Sequence, residues 1–333
     1  MLQGVSRPFE NLDLDERVID VLTASWRSTT RKQYQVYWKK WTDFCKNKKI
    51  SHLHPSVNSV LSFLSELFHN DKASYSTLNA ARSALSSYVT LENSNHSVGS
   101  HPLVCRYLKG VFNLRPPRPR YKDTWDVSIA LSFLRRWSPA KLLNLKQLTQ
   151  KLCLLLALIS AQRAQTLHLL KLDNIKLKQN SVTFTVDELL KQSRPGQHGC
   201  SFSFKAYPPD RRLCVVHYLK AYIKRTQVIR GQVHSLFISH TKPHKEVSSQ
   251  TISRWIKEAL SAAGIDTVKY KAHSTRAAAV SAASRANVPV SCILKQAGWS
   301  SEKTFQRFYH KPLTSVNNND MFSQAVLNVR TDI

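Results

Sequence analysis

KAHSTRAAAVSAASRANVPVSCILKQAGWSSEKTFQRFYHKP, residues 271–312, concentrates more chemistry than any other stretch of this chain. His273 and Arg276 open a run of alanines and serines that reads as a helix. Positions three apart are neighbours on a helix surface, so imidazole and guanidinium can address one point. Arginine binds phosphate oxygens with a planar fork and stays charged. Further on, Gly298–Trp299 precedes a basic segment carrying Tyr309. A phenol, with a pKa of about 10, is a weak nucleophile, yet it can attack phosphorus where surrounding donors neutralise the phosphate. Trp299 adds an indole N–H donor on an apolar body. The joint pattern points to chemistry at a phosphate group; H-x-x-R or a tyrosine alone would not.

The charge balance points to a polyanion. Lys and Arg number 49 against 21 Asp and Glu, a net charge of +28, and Glu10, Asp13, Asp15 and Glu16 sit together near the N-terminus, leaving the remainder more basic still. Such an excess repels itself unless a polyanion neutralises it, and nucleic acid is the usual one. The plainer alternative is a basic protein with solvated lysines. Six scattered cysteines with no C-x-x-C argue against a zinc site or disulfide framework and for a reducing compartment. The N-terminus has no apolar secretory core. The most apolar run, residues 152–161, is too short to span a bilayer and reads as a buried helix, so no membrane partner is expected.

At 333 residues, two domains are expected. Residues 1–20 read as a polar leader. TTRKQYQVYWKKWTDFCKNKK, from Thr29, places Tyr34, Trp38, Trp41 and Cys45 at helical spacing, with Thr29 or Thr30 as N-cap. Helical patterns continue, so residues 21–120 read as a helical domain. LRPPRPRYKDTW, residues 114–125, is a stiff, extended connector. Beyond it, residues 121–333 are mixed: helices over 126–137, 147 to about 170, 211–226 and 249–263, with one β-hairpin. In the hairpin NSVTFTVDEL directs Val182, Phe184 and Val186 inward, a turn follows with Lys191 at its edge, and CSFSFKAYP returns. The fold class expected is mainly α with a small antiparallel β-sheet.

These motifs resemble those of the tyrosine recombinases, the phage-integrase-like family, throughout the second domain and more loosely in the first. The family carries Arg, Lys, H-x-x-R, His or Trp, and a nucleophilic Tyr in that order. LISAQRAQTLHLL supplies Arg163, ELLKQSRPG supplies Lys191, KAHSTRAAA supplies His273 and Arg276, AGWSS supplies Trp299 and FQRFYHK supplies Tyr309. Arg194 and Lys205 are alternatives to Lys191. Thr166 stands where bacterial members usually carry an acid. The wording around these boxes is most similar to eukaryotic DIRS, Ngaro and Crypton mobile-element recombinases.

The resemblance implies a helical core-binding domain followed by an α+β catalytic domain. It implies DNA strand transfer through a 3′-phosphotyrosine on Tyr309, with no cofactor, metal or ATP. Double-stranded DNA is the implied partner, with self-association as a tetramer on two DNA sites, and the nucleus is the implied compartment. Arg31, Lys32 and Arg82 are candidate DNA contacts in the first domain. The tail TSVNNNDMFSQAVLNVRTDI reads as a polar hinge and a short apolar-faced helix that docks on a neighbouring protomer. The rival functions are a type IB topoisomerase and a domesticated DNA-binding protein that has lost the reaction.

Overall fold

The computed structural model describes residues 14–117, 121–190, 193, 199–299 and 301–313. Lys191, Arg194 and the tail after Leu313 lie outside the described residues, as does most of the segment read as a leader. The chain divides into two compact units, Met1–Arg118 and Pro119–Ile333.

The first unit is helical: α1 (Glu16–Ala24), α2 (Ser28–Lys48), α3 (Val57–His69), α4 (Tyr75–Ser86) and α5 (Pro102–Leu114). Residues 16–20, at the end of the segment read as a leader, are helical, with Asp15 accepting the Arg17 backbone N–H and capping α1. Helix α2 starts before Thr29, with Arg27 at its N-cap and no side-chain cap. Trp41, Phe44 and Phe63 form an aromatic core between α2 and α3, with ring centroids 5.2–5.7 Å apart. The Trp38 indole N–H donates to Ala84 O at 2.8 Å and ties α2 to α4. Ser56 and Ser74 cap α3 and α4, and Pro102 opens α5 where a missing N–H costs nothing.

The second unit is built around α7 (Leu145–Ser160), capped by a reciprocal Asn144–Gln147 box. Leu152, Leu154, Leu155, Leu156 and Leu158 are all buried, so the middle of α7 is enclosed by the core, as a central helix must be. Each such leucine contributes about 1.5–3 kcal/mol of burial. Around it pack α9 (Val215–Thr226), α10 (Ser249–Ala262) and α11 (Ser274–Arg285). Before α7 lies α6 (Val127–Arg136); after it come α8 (Ala164–His168), β1 (Ile175–Leu177), β2 (Ser181–Val186) and β3 (Cys200–Lys205). After α11 come α12 (Val290–Ala297) and α13 (Glu302–Phe308).

The fold is mainly helical with one small antiparallel sheet, ordered β1-β2-β3. Val182, Phe184 and Val186 are buried, and Phe184 lies opposite Phe202. Strand β1 went unread in the sequence because three residues are too few to show alternation. A side chain at Gly199 would collide with Val186 O, so the close approach of β3 to the end of β2 requires glycine there. The helix read over 147–170 is two: Ala161 adopts φ +50°, ends α7, and turns the chain before α8.

Candidate active site

Arg276 is the hinge pin of the site. It lies in the first turn of α11 and is fully buried, at 0% exposure. Its Nη1 donates to Ala161 O at 2.9 Å and its Nη2 to Ala297 O at 2.5 Å. One guanidinium therefore joins the end of α7 to the end of α12. Both carbonyls sit at helix ends, where they lack intrahelical donors, and both ends turn through left-handed residues, Ala161 and Gly298. Glycine takes that conformation at little cost, which is why Gly298 can deliver Trp299 directly beneath the arginine. Burial first, then the positive charge of Arg163, pull the Arg276 pKa down to about 10.

Around the guanidinium the aromatic groups close in. Arg276 Cζ lies 4.4 Å from the Trp299 ring centroid and 5.4 Å from that of Tyr309. Trp299 and Tyr309 pack with centroids 4.4 Å apart. The Tyr309 hydroxyl is 3.2 Å from His273 Nε2. Ala161, Val280, Ile293, Ala297 and Phe305 form a separate small core under these groups. Fully buried Phe305 anchors α13, which ends at Tyr309. Two donors, Arg276 Nε and Trp299 Nε1, are buried without a hydrogen-bond partner among the described residues. An unpaired buried donor costs about 1–3 kcal/mol.

Arg163 caps α8 in extended conformation and lines a cleft of about 200 Å³ with Gln162, Gln165, Ser253, His273 and Thr275. Thr166 is buried and donates to Gln162 Oε1 at 3.4 Å. Gln162 Nε2 in turn donates to Gln296 O at 2.8 Å, and Gln296 Nε2 to Ile159 O at 3.1 Å. Where bacterial members usually carry an acid, this chain has a threonine–glutamine brace between the Arg163 turn and α12.

Arg163, His273, Arg276, Trp299 and Tyr309 thus converge from four separate segments. Lys205 is exposed and pairs with Ser181 at the end of the hairpin remote from its turn. Arg31 and Lys32 are exposed on α2. Arg82 is half-buried and donates to Gly99 O at 3.2 Å, so part of its donor set serves the fold. Gln162, Gln296 and Ser281 were not singled out in the sequence, because nothing local distinguishes a bracing amide or hydroxyl from a solvated one.

The phage integrase family profile matches residues 138–314, more than half of the chain. An integrase/recombinase xerD homolog from Selenomonas ruminantium is 20% identical over 293 residues, covering 86% of this chain and 83% of that protein. Among solved structures, XerH site-specific recombinase bound to palindromic difH substrate aligns with a TM-score of 0.62 at 12% identity, over 97% of this chain and 91% of that one. A lambda integrase dimer bound to a COC' core site aligns with a TM-score of 0.51 at 13% identity, over 88% of this chain and 75% of that one. With its central leucine helix, its three-stranded sheet and the helices that bring these side chains together, this chain belongs to the phage integrase family, the tyrosine recombinases.

Proposed function

We propose that this protein cuts and rejoins double-stranded DNA through a covalent bond to Tyr309, as the recombinase or integrase of a mobile element. The observation that carries the reading is a hydroxyl held 3.2 Å from an imidazole, beside two buried donors, Arg276 Nε and Trp299 Nε1, without partners among the described residues. A phosphate oxygen is the acceptor that would satisfy such donors while its charge is neutralised.

In this mechanism the Tyr309 oxygen attacks a backbone phosphorus in line, and His273 takes up the phenolic proton. The bond between phosphorus and the 5′ oxygen breaks, leaving a 3′-phosphotyrosine. Lys191 supplies the proton that the departing 5′-hydroxyl needs. Arg163 and Arg276 carry the charge that builds on the non-bridging oxygens, and the Trp299 indole N–H adds a further donor. A 5′-hydroxyl from another strand then reverses the steps, and the stored phosphodiester energy drives rejoining. The +28 charge draws the chain to DNA, with Arg31, Lys32 and Arg82 as contacts in the first unit. Exchange between two sites calls for four protomers, the C-terminal tail joining neighbours, and a eukaryotic element of DIRS, Ngaro or Crypton type places the reaction in the nucleus.

The test is a covalent trap. The full chain is incubated with nicked duplexes of randomised sequence, which lose a short fragment on cleavage and cannot reseal, and the DNA joined to Tyr309 is sequenced. A tyrosine-linked adduct with a recurrent sequence is expected. No adduct points to a DNA-binding protein without the reaction. Supercoil relaxation without exchange between two recovered sites points to topoisomerase action.

A further inference from the structure

Ser281 is a buried hydroxyl that the mechanism leaves unused. It sits on α11 at 0% exposure, within the run AAAVSAAS where alanine would suit the helix better. Buried hydroxyls on helices usually bond back to their own helix, and others in this protein do so. Thr149 donates to Leu145 O, Ser160 to Leu156 O and Thr226 to Tyr222 O, each four residues back. Ser281 instead reaches 28 residues along the chain and donates to Tyr309 O at 2.7 Å. The Ser281 Oγ in turn accepts the Lys311 backbone N–H at 3.0 Å.

The reason for this bond lies in how α13 ends. Tyr309 is its C-cap, so its carbonyl has no intrahelical donor. Ser281 satisfies that carbonyl and the second amide beyond it in one stroke. Just past this point Thr124 N donates to Pro312 O at 2.8 Å, and Thr124 forms a parallel bridge with Leu313. Residues 309–313 are therefore fastened at both ends, to α11 and to the segment opening the second unit.

Helix α11, with His273 at its N-cap, holds Arg276 and Ser281 on one rigid rod, about 12 Å from His273 to Ser281 at 1.5 Å per residue. We infer that Ser281 is a positioning residue for the nucleophile, fixing the Tyr309 backbone relative to the His273 and Arg276 side chains that act on the same phosphate. This rests on the proposed strand-transfer reaction. A displacement of about 1 Å in a reacting group costs up to about 100-fold in rate, so one anchoring hydroxyl can matter without touching DNA.

The test compares wild type, Ser281→Ala and Ser281→Thr in single-turnover attachment to the randomised nicked duplexes, with DNA affinity and backbone hydrogen exchange measured alongside. Ser281→Ala is expected to attach about 10- to 100-fold more slowly with unchanged affinity, and its Lys311 amide to exchange about tenfold faster while α10 amides keep their protection. Ser281→Thr, which keeps the hydroxyl, is expected to recover slow Lys311 exchange and most of the rate. Attachment by Ser281→Ala at the wild-type rate overturns the inference and leaves strand transfer standing. So does unchanged Lys311 exchange in a slow Ser281→Ala variant, since the rate would then be lost by another route. Failure of the wild type to form any adduct sinks strand transfer, and this inference with it.

Discussion

Replacing Arg276 with methionine separates the two jobs this residue does. The substitution leaves the carbonyls of Ala161 and Ala297 without their donors, at about 1–3 kcal/mol each. Against that stands a cost the wild type already bears. Burial lowers the Arg276 pKa from the usual guanidinium range to about 10, which corresponds to about 3 kcal/mol against the charged form in the folded state. The sign follows from the direction: the unfolded chain holds this proton more tightly, so the penalty is fully present at every pH below about 10. It fades only as pH rises from there towards the ordinary guanidinium range. Methionine removes it, fills the space and keeps a sulfur–aromatic contact with Trp299. The net loss of stability is therefore no more than about 3 kcal/mol. The chemistry has no such offset: losing a preorganised donor costs about 2.7–4 kcal/mol in the transition state, or 10²- to 10³-fold in rate. Urea unfolding and single-turnover attachment to the trapped duplex, measured on the same preparation, decide the matter. Attachment within tenfold of wild type would remove Arg276 from the reaction. Attachment that falls only in proportion to the unfolded fraction would make it a strut between α7 and α12 and nothing more.

Tyr309→Phe should abolish the covalent adduct and leave DNA affinity unchanged in a filter-binding titration, since only the nucleophilic oxygen is lost; a persistent adduct moves the nucleophile elsewhere. Affinity for duplex DNA should fall steeply with salt as neutralised phosphates release counterions; a flat plot of log affinity against log salt contradicts a role for the +28 charge. Lys151 is fully buried, donates to Leu134 O and Trp137 O at 2.6 Å each, and is held down to about 7 by burial. Between about pH 7 and 10.5 the unfolded chain binds this proton and the folded chain does not, so folding stability gains from Lys151 as pH rises through that window. The stability of wild type relative to Lys151→Met should therefore climb from pH 7 to pH 10, measured by urea midpoints; a pH-independent difference refutes the assignment.

Much of this architecture was legible in one dimension because its signals are local. Alternation at Val182, Phe184 and Val186 disclosed β2, since successive side chains on a strand face opposite ways. The apolar run at 152–161 disclosed a buried helix, since no polar face remains to meet water. His273 and Arg276 could be paired from their spacing alone, since positions three apart share a helix face. Other features had no local signature. The break after Ser160 falls at Ala161, a residue that favours helix, and it is held by the Arg276 guanidinium arriving from another helix. Thr166 read as a departure from the bacterial pattern, and only packing showed that it braces Gln162. Ser281 sits among alanines, and what sets it apart is a carbonyl 28 residues away. Sequence carries backbone propensity and periodicity because these act between neighbours. Which helix end lacks a donor, and which distant side chain satisfies it, is decided when the chain closes on itself and water is gone.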